Sequence, residues 1–145
     1  MIIVLIIIKE RMLGRMKYSR QREAIKDFLM TRTDHPTAEA VYLSVRESNP
    51  KISLGTVYRN LSLLTSLGEI QKICCGDGVE RYDANVAPHY HYHCTACGCV
   101  MDVPMDQVPT SNVLIGADFP EAVDGYTVLF HGTCRECRKK MEKSS

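Results

Sequence analysis

Cys94 and Cys97, and then Cys134 and Cys137, form two Cys-x-x-Cys pairs. Four thiolates at that spacing suit a closed tetrahedral zinc site. The pairs are separated by 36 residues (98–133), longer than a simple zinc ribbon, so the metal is expected to tie the start of one strand to the last helix of a small domain. Such a domain buries little apolar surface, and the zinc should contribute folding free energy on the order of several kcal/mol. Buried free thiols are the alternative. Cys99 could compete with Cys97 by register, whereas Cys74 and Cys75 read as bystanders.

His89, His91 and His93 alternate just before the first pair, and Asp102 follows on the same strand or on its return. Side chains two residues apart on a strand share a face, so the three imidazoles can converge. Imidazoles with carboxylate oxygens suit Fe(II), Mn(II) or Zn(II) rather than a soft metal. A lone histidine would read as a satisfied core residue, but three at this spacing favour a second, functional metal site bound through nitrogen and oxygen. Two other classes use the same residues: a non-haem iron or zinc enzyme, whose catalytic set is two histidines and a carboxylate, and a thiol redox switch at the paired cysteines.

The elements that must hold these groups follow from apolar spacing and caps. Ser19 caps a helix with Ala24, Ile25, Phe28 and Leu29 on one face, ending near Thr31. After His35-Pro36-Thr37, a second helix carries Ala38, Val41, Tyr42 and Val45 and stops before Asn49-Pro50. A third begins after Ser53, turns Leu54, Val57, Leu61 and Leu64 inward, and stops at Gly68. Strand-like runs at 70–73 and 79–82 flank Cys74-Cys75-Gly76-Asp77-Gly78, a hairpin turn. Three helices and a small hairpin spell a winged helix-turn-helix. Residues 84–88 read as a hinge; beyond it 89–103 alternates like a strand, 105–115 reads as a helix, 126–130 as a strand and 135–143 as a charged helix. The expected architecture is α+β: a winged-helix domain over 1–83, the hinge 84–88, and a small α/β domain over 89–145 that carries the structural zinc.

A chain of 145 residues with 45% hydrophobic residues can bury a core, and seven cysteines, an odd number with four in zinc-type pairs, favour a reducing cytoplasm over a disulfide framework. The apolar opening, residues 1–8, is far shorter than the roughly 18 residues of a membrane span, so no membrane association is expected. It reads as the first turns of a packed helix, with Met12 and Met16 as alternative starts. Net charge is only +1, yet residues 1–32 carry eight Lys/Arg against three Asp/Glu, an excess of five. That basic end, which includes Lys9, Arg11, Arg15 and Lys17, is a candidate surface for DNA phosphates.

The segments Arg20-Gln-Arg, His35-Pro-Thr-Ala-Glu-Ala-Val-Tyr, Gly55-Thr-Val-Tyr-Arg-Asn-Leu, Gly68-Glu-Ile, Arg81-Tyr-Asp83, His89-Tyr-His-Tyr-His-Cys-Thr-Ala-Cys97-Gly and Cys134-Arg-Glu-Cys137 resemble, in order and spacing, the ferric uptake regulator family of metal-dependent repressors. The resemblance runs from about Tyr18 to Lys140. It implies a homodimer whose C-terminal domain dimerises, a structural zinc on Cys94, Cys97, Cys134 and Cys137, and a regulatory Fe(II) or Mn(II) on His35, Asp83, His89, His91 and Asp102. Five protein ligands would leave little room for a substrate, which weighs against an enzyme. It also implies palindromic operator DNA as partner, read by the third helix through Thr56, Tyr58, Arg59 and Asn60, with Arg20 and Arg22 on the backbone. An aspartate at position 102 resembles the peroxide-sensing branch of the family, in which iron-catalysed oxidation of a ligand histidine, here His35 or His89, releases DNA. Sensing of iron or zinc availability is the alternative within the family. His93 and His131 fall outside the five-ligand pattern.

Overall fold

The computed structural model describes residues 2–7, 19–108, 116 and 118–145. Lys9, Arg11, Arg15 and Lys17, the alternative starts Met12 and Met16, and 109–115 of the helix expected over 105–115 lie outside the described residues. The chain divides into two compact units, Met1–Val86 and Ala87–Ser145.

In the first unit, α1 (Arg20–Met30), α2 (Ala38–Val45) and α3 (Leu54–Ser66) each start at a hydroxyl cap. The Oγ of Ser19, the Oγ1 of Thr37 and the Oγ of Ser53 accept from the amides of Arg22, Ala40 and Thr56, satisfying donors that a helix start leaves open. α3 stops as its glycine dictates. Gly68 takes φ 69°, its amide donates to the Thr65 carbonyl and that of Glu69 to the Leu64 carbonyl, which is the Schellman closure. The inward faces meet in one core of Ile25, Leu29, Ala38, Val41, Val45, Ile52, Val57, Leu61, Leu64, Ile70 and Tyr82. β1 (Gln71–Cys74) and β2 (Glu80–Asp83) pair antiparallel from Gln71↔Asp83 to Cys74↔Glu80, one residue later than the apolar runs indicate. Gly76 and Gly78, both at positive φ, turn the wing between them. The opening residues 2–7 are helical, as expected, but exposed rather than packed: Ile2 is 75% accessible and Ile7 47%. No described helix is long and apolar enough to cross a membrane.

The second unit departs further from expectation. The alternation over 89–103 is not one strand but two, β3 (Tyr90–Cys94) and β4 (Val100–Val103), antiparallel about a tight turn. Cys94 and Cys99 close that turn, the amide of the first donating to the carbonyl of the second at 2.9 Å, while Gly98 at φ 77° donates back to the Cys94 carbonyl at 2.8 Å. β5 (Leu129–Gly132) starts three residues later than Tyr126 and pairs parallel with β3, giving the order β4-β3-β5. Residues 105–107 form a single 3-10 turn rather than the start of an α-helix. α4 (Arg135–Lys143) follows the second cysteine pair.

Candidate metal centres and helix surface

The zinc-type cysteines sit where three local structures meet. Cys94 ends β3, Cys97 lies in the turn, Cys134 is the N-cap of α4 and Cys137 is in its first turn. Thr95 ties the turn to β5, its amide donating to the Gly132 carbonyl at 2.8 Å and its hydroxyl at 3.2 Å. All four Sγ atoms lie within 4.8 Å of one another, and Cys97 Sγ is 3.9 Å from Cys134 Sγ. Sulfurs bound tetrahedrally to zinc at about 2.3 Å stand about 3.8 Å apart, so a zinc ion fits this cluster. The electrostatics agree. The Cys134 and Cys97 amides aim at Cys94 and hold its thiol down at about 5, the Cys134 N–H reaching Cys94 Sγ at 3.3 Å. Hydrogen bonding to Cys134 pushes Cys137 up to about 12. Cys94, held toward its thiolate, is in the form that a divalent cation takes as a ligand. Burial pushes Cys99 up to about 12, and its thiol also meets those of Cys97 and Cys134. Cys74 and Cys75 belong to no cluster among the described residues.

Each unit also carries part of the expected regulatory set. In the first, His35 Nε2 lies 3.2 Å from Asp83 Oδ2, both side chains buried. The loop that holds His35 is stitched to β2: the Tyr82 amide donates to the Pro36 carbonyl, and Thr37 bridges Arg81. His35 itself takes φ 55°, a left-handed conformation that a non-glycine residue keeps only where its surroundings over-determine it. Asp83 Oδ1 accepts from the Asn85 amide at 2.8 Å, which fixes the carboxylate.

In the second unit, register pairing sets His91 opposite Asp102. His89 Nε2 lies 3.0 Å from His91 Nε2 and 3.1 Å from Asp102 Oδ1, and His91 Nε2 is 3.5 Å from that oxygen. His89 Nδ1 donates to the Ala87 carbonyl at 2.7 Å; a carbonyl only accepts, so a proton sits on Nδ1, and in the neutral ring Nε2 is the nitrogen left to ligate. Two imidazole nitrogens and a carboxylate oxygen so placed fit Fe(II), Mn(II) or Zn(II). The Ala87 carbonyl carries no sequence signal. His93 and His131, register neighbours on β3 and β5, join neither cluster among the described residues.

On α3, Tyr58 and Arg59 are exposed and Asn60 is half-buried. Thr56, expected beside them, is an internal fastener: its Oγ1 is 2.9 Å from Ser53 Oγ and accepts from Arg59 Nη2 at 3.0 Å, and its carbonyl accepts from Asn60 Nδ2 at 3.0 Å. Arg20 is exposed and Arg22 half-buried at the start of α1. Glu39 of α2, unmarked in the sequence, accepts the Tyr58 hydroxyl at 2.7 Å.

A winged helix followed by an α/β unit with a four-cysteine cluster and a His/Asp cluster is the architecture of a metal-responsive regulator. The chain belongs to the ferric uptake regulator family, whose profile matches residues 14–116. It is 41% identical over 129 residues to the ferric uptake regulation protein of Bacillus subtilis, covering 86% of this chain and 87% of that one. It is 31% identical over 120 residues to the peroxide-responsive repressor PerR of Staphylococcus epidermidis, covering 83% and 80%. The fold matches the Helicobacter pylori ferric uptake regulator Fur with a TM-score of 0.76 at 21% identity, covering 94% of this chain and 91% of that one.

Proposed function

We propose that the chain is a homodimeric, metal-dependent repressor that reports metal availability, iron first, by coupling a His/Asp metal site to the binding of palindromic operator DNA. The observation that carries this reading is the placement of the clusters: His35 with Asp83 on one side of the Val86–Ala87 division, His89 with His91 and Asp102 on the other. A divalent cation held by His35, Asp83, His89, His91 and Asp102 would supply the positive charge around which all five groups could share one centre. The chain does the rest. Ala87 and Asn85 orient His89 and Asp83 from either side of the division, and a common centre restricts the two units to one arrangement. If that arrangement is the one that fits two half-sites, metal and operator strengthen each other by the same factor.

In this reading Cys94, Cys97, Cys134 and Cys137 hold a structural zinc that keeps the second unit folded. Tyr58, Arg59 and Asn60 meet base edges in the major groove, Thr56 acts by holding Arg59, and Arg20 and Arg22 contact phosphates. The relative at 41% identity is named for ferric uptake, which supports availability sensing over the peroxide mechanism. The relatives are named as regulators, which supports regulation over the enzymatic alternative.

Asp102 and the 31% identical PerR favour a second reading, oxidation of His35 or His89 by peroxide at bound iron. One experiment tests both. Purified zinc-containing protein is titrated with Fe(II) or Mn(II) without oxygen, and binding to selected duplex DNA is measured before and after peroxide. Metal-dependent binding with unmodified histidines supports availability sensing; one added oxygen on a peptide carrying His35 or His89, with loss of binding only in the iron form, supports the peroxide reading. Binding that ignores the metal refutes both.

A further inference from the structure

Tyr58 stands on the outer face of α3, 38% accessible, and an exposed phenol on a helix ordinarily samples several rotamers. Here its hydroxyl is committed. It donates to Glu39 Oε1 at 2.7 Å, a short charge-assisted bond that joins the second residue of α2 to the face of α3. The bond draws the Glu39 carboxyl below its ordinary range and pushes the Tyr58 phenol up, so donor and acceptor keep their roles at neutral pH. The ring lines a notch of about 470 Å³ with Glu39 and the wing residues Gly78, Val79 and Glu80.

Two features of this arrangement need a reason. A carboxylate on a surface that meets phosphates repels them, so a Glu39 that merely clamped two helices would weaken DNA binding. The apolar core already fastens α2 to α3 through Ala38, Val41, Val45, Val57, Leu61 and Leu64. The bond also removes the Tyr58 proton from use on a base edge, so that the side chain offers its ring carbons and an oxygen that can only accept.

We propose that Glu39 is a positioning residue for base readout: it turns the Tyr58 ring so that ring carbons, not the hydroxyl, meet the C5 methyl of a thymine in the major groove. This rests on the reading of α3 as the recognition helix, and the test separates the two. The full-length, zinc-containing, Mn(II)-loaded protein selects duplexes from a randomised library. Binding is then measured at one salt concentration to the selected duplex and to copies with each thymine replaced in turn by deoxyuridine. Burying one methyl group gives an expected preference of about fourfold at the thymine that Tyr58 meets.

Glu39→Gln should keep that preference, because its amide oxygen still accepts the hydroxyl. Glu39→Ala and Tyr58→Phe should bring it close to one, the latter with the salt dependence unchanged. Tyr58→Ala should abolish it. If Tyr58→Ala loses the preference while Glu39→Ala and Tyr58→Phe keep it, the positioning role is overturned and the recognition helix stands. The positioning role is equally overturned if Glu39→Ala binds every duplex more tightly with the preference intact. If Tyr58→Ala matches the parent on all duplexes, Tyr58 reads no base and both inferences fall. Melting temperatures of the variants, measured alongside, show that each is folded as tested.

Discussion

Cys94→Ser is the sharpest test of what holds the second unit together. Besides Cys94 and Cys134, only Tyr90 and Val100 are buried hydrophobic residues among its described residues, whereas the first unit packs a continuous core from three helices and the wing. A structural zinc that contributes on the order of several kcal/mol supplies a large share of the about 5–15 kcal/mol that keeps a whole domain folded. Losing it should therefore unfold the second unit rather than loosen it. Serine is the right replacement, because its oxygen can still accept the Cys134 amide that reaches Cys94 Sγ at 3.3 Å, so the change removes a ligand and little else. Zinc content and hydrogen exchange by mass spectrometry, both on the full-length protein, read the outcome. Amides of β3, β4 and β5 should lose protection, while those of α1, α2 and α3 keep theirs. Full zinc content with native protection in Cys94→Ser, or zinc loss that leaves β3 to β5 protected, would refute the reasoning.

Other outcomes follow from the same geometry. Arg59→Ala should weaken binding to the selected duplex by about 1–3 kcal/mol per half-site, while Arg20→Ala should weaken all duplexes alike and lower the salt slope by about one, both read by titration across salt concentrations. Asp102→Ala should abolish metal-stimulated DNA binding and leave the zinc in place, as metal analysis will show; Asp102→Glu should keep the stimulation. Gly68→Ala should destabilise the first unit by about 1–2 kcal/mol, measured by urea unfolding, because the alanine must adopt φ 69°. Zinc affinity of the stripped protein should fall as pH is lowered, since protons compete with the metal for the four thiolates, and a competition titration with a chelator checks the direction.

The helices of the first unit were legible because the signals are local: Ser19, Thr37 and Ser53 cap what the apolar spacing fills, and Gly68 ends it. The cysteine cluster was legible for a similar reason, since ligand chemistry fixes its spacing. The break between β3 and β4 was not, because alternation runs on across residues 95–99 and the turn is closed by backbone hydrogen bonds, Cys94 to Cys99 and Gly98 to Cys94, that side-chain types do not announce. Tyr126, Thr127 and Val128 have strand-forming side chains, yet the ladder to β3 begins at Leu129, and side-chain preference alone does not supply a partner strand. Nor could the positive φ of His35 be seen. A following proline biases a residue toward extended backbone, and the stitches from Pro36 and Thr37 to β2 override that bias. The bond from Tyr58 to Glu39 spans 19 positions and needs the packed helix pair before it has any meaning.

The parallel pairing of β3 with β5 fixes an order of events as the chain is made. The first unit closes on neighbours in sequence: three consecutive helices and a hairpin. The second closes only its β3–β4 hairpin locally, because His91 must wait for Leu129, and Cys94 and Cys97 for Cys134 and Cys137. Contacts that distant are slow to form, and the half-made segment leaves one edge of β3 and its thiols open in the meantime. The winged-helix unit is thus finished first and the cysteine-bearing unit last. A cell short of zinc would accumulate chains with a folded winged helix and an open, thiol-bearing tail, so supply of the structural metal would govern how many working regulators emerge from synthesis, apart from any signal the finished protein receives.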